Sequence, residues 1–402
     1  MAAVAARKVF IVGAKRTPFG AFGGALSALS ATDLGVISSK AAIESAGVSA
    51  DAIDATFFGN VIQSSADACY LARHIGLRVG APVASPALTV NRLCGSGFET
   101  VVQGAEAIQV GSARVALCGG AENMSNAPLS IGGVSARWGV PLGAGLKLED
   151  SLWAGLTDSH AGLPMGLTAE NLAKQYGISR DACDEYALRS QLLWAAGHAS
   201  GAFEAEMAPV TVEGKKGART IDTDEHPRPE TSKDKLEKLR PVFKKDGVVT
   251  AGNSSGICDG AGSLLVASED AVKDLKLEPL ARVVSWGIVG CDPKIMGIGP
   301  AGAVRKALEA AGLTLKDMDL IEVNEAFAAQ YLAVEKELGL DRDIVSTCGG
   351  AIALGHPLGA SGSRILAHLT HKLRREKLRY GVGTACIGGG QGIAVILENT
   401  SL

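Results

Sequence analysis

The stretch Leu88-Thr89-Val90-Asn91-Arg92-Leu93-Cys94-Gly95-Ser96-Gly97-Phe98 passes from strand to helix. Its first residues are apolar and β-prone. Gly95-Ser96-Gly97 then leads into a segment whose apolar residues recur at helical spacing through Ile108. Cys94 therefore sits at a strand-to-helix turn. Free backbone N–H groups and the helix dipole at such a turn favour a thiolate, which is the nucleophile of cysteine enzymes. A free cysteine is also commonly a small buried apolar residue, so the turn alone leaves both readings open.

Working outward, strand and helix patterns alternate. Residues 8–12, 56–62, 88–91 and 114–117 read as strands, the last running into Cys118-Gly119-Gly120, and 31–45 read as a helix before Gly47. This alternation predicts α/β layers. From about residue 122 to 255 the texture changes to helical pieces, 169–175 and 180–197, among Gly/Pro-rich and charged loops. The segment 214–245 carries Lys215, Lys216, Arg219, Arg228, Lys233, Lys235, Lys238, Arg240, Lys244 and Lys245. It reads either as a solvated face or as a surface that meets a phosphate-bearing ligand.

An internal repeat follows. Ala42-Ile-Glu-Ser-Ala-Gly-Val-Ser with Asp54 resembles Ala307-Leu-Glu-Ala-Ala-Gly-Leu-Thr with Asp319, so that 42 maps to 307 and 54 to 319 by one constant offset. Leu93-Cys94-Gly95-Ser96-Gly97 matches Leu358-Gly359-Ala360-Ser361-Gly362 at the same offset, and Cys118-Gly119-Gly120 answers Cys386-Ile387-Gly388 at a slightly longer one. One offset recurring over some fifty positions predicts two similar halves, with the basic insertion hung from the first. Related halves packed together leave a site at their junction.

Bulk properties narrow the classes. A chain of 402 residues with net charge −3 and 20% charged residues carries no strong field for nucleic acid or a membrane surface. No apolar run is long enough to span a bilayer. The eight cysteines are scattered without CxxC pairs, unlike a disulfide framework or a zinc site. Arg7, Lys8, Lys15 and Arg16 precede the first acid, Asp33. That composition fits either a very short or uncleaved mitochondrial targeting signal or an ordinary basic N-terminus. The expected compartment is the mitochondrial matrix, with the cytosol as the alternative. The terminal Asn399-Thr400-Ser401-Leu402 lacks the basic residue of a peroxisomal address.

Seven motifs occur in order: Lys15-Arg16-Thr17-Pro18-Phe19-Gly20, Asn91 to Gly97, Gly120-Ala121-Glu122-Asn123-Met124-Ser125, Thr250-Ala251-Gly252-Asn253-Ser254-Ser255-Gly256 with Asp259-Gly260-Ala261, Asn324-Glu325-Ala326-Phe327, Gly355-His356-Pro357, and Cys386-Ile387-Gly388-Gly389-Gly390. Together they resemble the thiolase family over essentially the whole chain. The resemblance implies a thiolase fold: two similar βαβ-type halves packed in αβαβα layers. Residues 1–123, completed by 258–277, would form the first half, 124–257 a loop domain and 278–402 the second half.

The resemblance also implies roles. Cys94 would attack the keto carbon of a 3-ketoacyl-CoA, and His356 would activate it. Cys386 would serve as acid and base. Asn324 would hold a water that forms one oxyanion hole with His356, and the N–H groups of Cys94 and Gly388 would form the other. Arg228, Thr231 and Ser255 would hold coenzyme A, while Met165 and Phe327 would line the acyl or pantetheine channel. Coenzyme A enters as co-substrate; no metal and no tightly bound cofactor are implied, and acyl-CoA and CoA are the small-molecule partners. A homodimer or homotetramer is expected. Biosynthetic thiolases usually carry histidine before the methionine, whereas this chain has Pro164-Met165. That departure favours degradative cleavage of longer 3-ketoacyl chains in fatty-acid β-oxidation. The alternative is the acetyl-CoA C-acetyltransferase class, with acyl-CoA hydrolysis as a side activity. The other histidines, His226 and His368 among them, and the other cysteines read as structural.

Overall fold

The computed structural model describes residues 7–214 and 217–402. Lys215 and Lys216 of the basic segment, and residues 1–6 of the N-terminal reading, lie outside the described residues. The strands of the main sheet are β1 Val9–Arg16, β2 Ala55–Gly59, β3 Ala87–Val90, β4 Val115–Asn123, β5 Cys258–Ser268, β6 Ala281–Gly290, β7 Leu320–Val323, β8 Tyr380–Ile387 and β9 Gln391–Asn399. The principal helices are α1 Ala31–Ala46, α2 Leu71–Arg78, α3 Ser96–Val110, α4 Met165–Tyr176, α5 Arg180–Ala199, α6 Gly299–Ala311, α7 Ala328–Leu338 and α8 Ser361–Glu376. Local chemistry sets their ends. Ser30 and Asp33 form a reciprocal capping box at the start of α1. Gly47 and Gly312, equivalent positions of the repeat, end α1 and α6 with φ of 63° and 66°.

The sheet runs β7-β8-β9-β6-β1-β5-β4-β2-β3, with the short strand Gly20–Ala21 beside β5. The halves join at β1 and β6 through the antiparallel pairs Val9↔Val283, Phe10↔Arg282 and Ile11↔Ala281. Each half repeats the other in hydrogen-bonding detail. Asp54 accepts from the amides of Arg114 and Val115, and Asp319 from those of Arg379 and Tyr380. A register shift interrupts β1 between Ile11 and Gly13, and the matching one interrupts β6 between Val283 and Ser285.

Register also corrects part of the repeat. Ala55 pairs with Ala116, and Leu320 with Gly381, so both members of the parallel pair move by the same offset that relates Ala42 to Ala307. Cys118 therefore corresponds to Gly383, and Cys386 to Ala121. The longer offset that matched Cys118 to Cys386 rests on residue identity, which the hydrogen-bond ladder overrides. Two element ends differ as well. β4 continues through Gly119 and Gly120 to Asn123, fully buried, instead of turning there. β2 stops at Gly59, and 60–62 become a loop whose amides bind a side chain.

Apolar packing produces five layers. Phe98, Val101, Val102, Ala105 and Ile108 of α3 pack with Ile365, Leu366, Leu369 and Leu373 of α8 between the strands of the two halves. Helices α1 and α2 cover the outer face of the first half. Helices α6 and α7 cover that of the second, with α4 and α5 packed outside α7. Between β4 and β5 in sequence, three small hairpins pair off the main sheet: Leu129–Ile131 with Leu148–Asp150, Thr157–Asp158 with Leu163–Pro164, and Val210–Val212 with Arg219–Ile221. A buried network anchors this region. The Arg16 guanidinium binds Glu206 and Asp224 at 2.6 Å each, and Glu206 binds His368 of α8 at 2.7 Å.

At the N-termini of α3 and α8 the two halves come into backbone contact. A Cβ on Gly97 would lie 2.5 Å from the Ser363 nitrogen; one on Gly362 would overlap the nitrogen of Phe98, its reciprocal neighbour. A Cβ on Gly120 would overlap the Gly359 carbonyl oxygen. Gly120→Ala is expected to cost about 3 kcal/mol, the upper range for overpacking, because the obstacle is backbone. Gly312→Ala meets open space and strains only its positive φ, for about 1 kcal/mol. Chemical denaturation of the two variants should rank them in that order.

Candidate active site

Three loops and one strand end converge above the α3–α8 contact. The first is the turn before α3. Asn91 Oδ1 accepts the Leu93 amide at 2.9 Å, and Leu93 takes a φ of 47°, sparsely populated for a residue with a Cβ. Gly95 lets the turn lie against Ile387, for its Cβ would approach the Ile387 Cδ1 within 2.6 Å. Cys94 is thereby placed, half-buried, on the wall of a cavity of about 490 Å³. The N–H groups of Gly388 and of Cys94 itself point at the sulfur.

Burial pushes the Cys94 thiol up to about 11, outweighing those two N–H groups, and the nearby Glu122 adds to the rise. The expectation of a helix-start thiolate is therefore corrected. Loss of water around the sulfur exceeds the local dipole, and Cys94 rests as a thiol.

His356 precedes α8 and is almost fully buried. Its own amide donates to the Gly256 carbonyl at 2.8 Å. Its Nδ1 lies 2.5 Å from Ser361 Oγ, whose proton goes to the Pro357 carbonyl. Nδ1 therefore carries the ring proton and donates, leaving the Nε2 lone pair as an acceptor, here for Asn324 Nδ2. Burial, with Arg364 as the second cause, lowers the imidazole to about 3, so the ring is neutral at pH 7. Asn324 Nδ2 lies 3.3 Å from Nε2, and Asn324 Oδ1 has no hydrogen-bond partner among the described residues. The lone pair on Nε2 is what a general base needs.

Cys386 is the penultimate residue of β8, fully buried, just before the Gly388-Gly389-Gly390 turn. Burial first, then the neighbouring Cys94 and Cys291, raises its thiol well above the ordinary range. It remains protonated and able to donate. It packs with Met296 and Ala326, and Met165 and Phe327 lie against that cluster.

Met165, Phe327, Ser255, Arg228, Cys94 and His356 line the same cavity. The Ser255 amide donates to the Ala326 carbonyl at 3.0 Å, which fixes one wall. Arg228 is exposed at this cavity, and its guanidinium donates to the carbonyls of its own loop, His226 among them at 3.0 Å. Asn324, Cys386 and Gly388 are not among the lining residues, but Asn324 meets His356 and the other two lie against Met165. Thr231 is not among the lining residues and meets Arg228 through its backbone.

Sequence reasoning passed over several residues of the site. His226, read as structural, lines the cavity, its Nδ1 2.8 Å from the Ala353 carbonyl. Trp153, Phe22 and Met296 also line it. Only its place just before Arg228 marked His226; nothing local marks the others. Glu122 was quoted only as part of a motif, yet its carboxylate is buried at the contact between the halves. Among the described residues no cluster of His, Cys, Asp and Glu could hold a metal, and no helix is long and apolar enough to cross a membrane.

Comparison with known proteins adds independent findings. Residues 9–270 match the family model of the thiolase N-terminal domain, and 277–399 that of the C-terminal domain. The human protein named 3-ketoacyl-CoA thiolase, mitochondrial, is 60% identical over 98% of this chain and 99% of its own. An acetyl-CoA acetyltransferase of Syntrophomonas wolfei is 46% identical, again over 98% of this chain and 99% of its own. The crystal structure of human mitochondrial 3-ketoacyl-CoA thiolase in complex with CoA superposes with a TM-score of 0.96, at 58% identity and 98% coverage of each chain.

The raised thiol has a measurable consequence. The rate of Cys94 alkylation by iodoacetamide in the resting protein should climb from pH 7 to pH 10 without levelling, because thiolate accumulates only toward about pH 11. A plateau below pH 8, read by mass spectrometry of the Cys94 peptide, would show a preformed thiolate instead.

Proposed function

The chain belongs to the thiolase family, and from that premise we propose that it cleaves 3-ketoacyl-CoA by CoA-dependent thiolysis in fatty-acid β-oxidation. The observation that carries the reading is the convergence at one cavity of Cys94 and His356, whose Nε2 is unprotonated, with the N–H groups of Cys94 and Gly388 acting on the Cys94 sulfur.

The steps follow from these groups. Substrate binding brings the keto carbon to Cys94, whose proton passes to His356 Nε2 as the carbon–sulfur bond forms. The neutral imidazole takes up that proton without a preformed charge. The thioester oxygen on Cys94 lies within reach of the N–H groups of Cys94 and Gly388, which stabilise it as negative charge develops. The bond between the α and keto carbons then breaks, and the departing enolate of acetyl-CoA is protonated by the Cys386 thiol. Asn324, beside His356, is suited to hold a water as a second oxyanion donor. In the second half-reaction Cys386 removes the proton of an incoming CoA thiol, and that sulfur displaces the acyl group from Cys94. The Cys94 thiolate so released takes back the proton held on His356 Nε2, and a shortened acyl-CoA leaves. Two half-reactions through one covalent intermediate give ping-pong kinetics.

Exposed Arg228, with Ser255 and Met165, supports a CoA site at the cavity mouth; a guanidinium suits phosphate or adenine. Thr231 would contribute only by fixing the Arg228 loop. The apolar wall of Met124, Leu156, Ile257 and Leu358 beside Cys94 supports an acyl chain longer than acetyl. The acetyltransferase alternative is less favoured, since that relative is the less similar of the two. The division into 1–123 completed by 258–277, a loop domain 124–257 and a second half 278–402 belongs to this proposal; the return of β5 into the first half supports it. A mitochondrial matrix setting is inferred from relatives named mitochondrial, and assembly into a homodimer or homotetramer is part of the same reading.

Thiolysis measured across 3-ketoacyl-CoA chain lengths from four to sixteen carbons should show activity well beyond acetoacetyl-CoA. Restriction to acetoacetyl-CoA would move the assignment to the acetyltransferase class. Cys94→Ala should lower kcat by about 10³-fold or more and abolish the acyl adduct that mass spectrometry detects on the parent.

A further inference from the structure

Glu122 is the penultimate residue of β4, and its carboxylate is fully buried. No cation pairs with it among the described residues. Oε1 accepts from Asn60 Nδ2 at 3.1 Å and from the Ile62 amide at 2.9 Å. Oε2 accepts from the Val61 amide at 3.1 Å and from the Gly359 amide at 2.8 Å. Four hydrogen bonds from neutral donors offset the cost of burying the group, while burial raises the carboxyl to about 7.

These partners lie on opposite sides of the chemistry. The loop 60–62 supports the nucleophile turn, for Asn91 Nδ2 donates to the Val61 carbonyl at 3.3 Å. Val61, Ile62 and Met124 also pack in one apolar cluster with Leu93 and Cys94. Gly359 follows His356 and Pro357 and precedes Ser361, which orients the imidazole. One carboxylate thus spans from the support of Cys94 to the turn that carries His356. The repeat does not require it. Its counterpart in the second half is Ile387, apolar and buried, so that half closes its strand end without a charge.

We propose that Glu122 is a positioning residue for acyl transfer, its buried carboxylate fixing the His356 turn of one half against the loop that supports Cys94 in the other. The inference rests on the reading of Cys94 as nucleophile and His356 as its base. It has two separable effects. The hydrogen bonds set the distance from base to nucleophile, and a misplacement of about 1 Å can cost about 10²-fold in rate. The carboxylate, where ionised, also adds to the rise of the Cys94 thiol that burial chiefly causes.

The test compares Glu122→Gln and Glu122→Asp with the parent by steady-state thiolysis, thermal midpoint and the pH profile of Cys94 alkylation by iodoacetamide. Glu122→Gln keeps the shape but loses the charge and sets an amide group against backbone donors. Its kcat should fall about 10- to 100-fold with KM for both substrates within about twofold, and its alkylation profile should move to lower pH. Glu122→Asp keeps the charge but is too short to reach both loops; kcat should fall while the alkylation profile stays with the parent. A Glu122→Gln protein with parental kcat overturns the inference, as does a kcat loss matched by a comparable change in KM for the two substrates. If neither variant folds, Asn60→Ala removes one donor and leaves the charge. A severalfold drop in kcat at unchanged KM then supports the proposal, and parental kcat overturns it. A parent that forms no acyl adduct on Cys94 would overturn the function itself, whereas an active parent with an equally active Glu122→Gln overturns only the role of Glu122.

Discussion

The contact of two glycine turns across the pseudo-twofold axis is the constraint on which the rest of the molecule depends. Gly97 and Gly362 lie against each other's following residues, and Gly120 lies against the Gly359 carbonyl with no room for a methyl group. Only with backbone against backbone can α3 and α8 start side by side between the two sheet halves. That common starting point brings the turn bearing Cys94 and the turn bearing His356 to one cavity. The apolar layers of α3 and α8 then hold the arrangement over the length of both helices.

Near-symmetry in the backbone is matched by asymmetry in the side chains. At equivalent positions the first half carries Asn91, Cys94, Ala121 and Glu122 where the second carries His356, Gly359, Cys386 and Ile387. Even the shared serine is used differently. Ser96 Oγ accepts the Arg92 amide and donates to the Leu93 carbonyl, closing its own turn, whereas Ser361 Oγ receives the imidazole proton. A duplicated frame supplies two helix starts at one place, and substitution divides the proposed nucleophile, base and acid between them.

The site is electrically quiet at rest. Burial keeps Cys94 and Cys386 as thiols and His356 neutral. In the proposed reaction charge arises only as it proceeds, and the N–H groups of Cys94 and Gly388 are the donors proposed to receive it. Glu122 near Cys94 and Arg364 near His356 are the charged groups that act on them. The Arg16–Glu206–Asp224–His368 network ties the region of the small hairpins to both halves, and Arg228 stands exposed at the cavity.

Family resemblance suggested which side chains react; by itself the sequence determined the α/β layering, the duplication and the strand-to-helix turn at Cys94. These are written in local spacing, in turn glycines and in one recurring offset. Register was not legible. Cys118 and Cys386 look alike in sequence, yet the strand ladder pairs them with Gly383 and Ala121, because hydrogen bonds between distant strands fix register and residue identity does not. Desolvation was not legible either. A helix start promised a thiolate, and the water excluded by packing around Cys94 reversed the balance. His226 at the cavity wall and Glu122 between the halves came to light only in three dimensions. Their partners lie far along the chain, and a side chain's role is set by what surrounds it after folding.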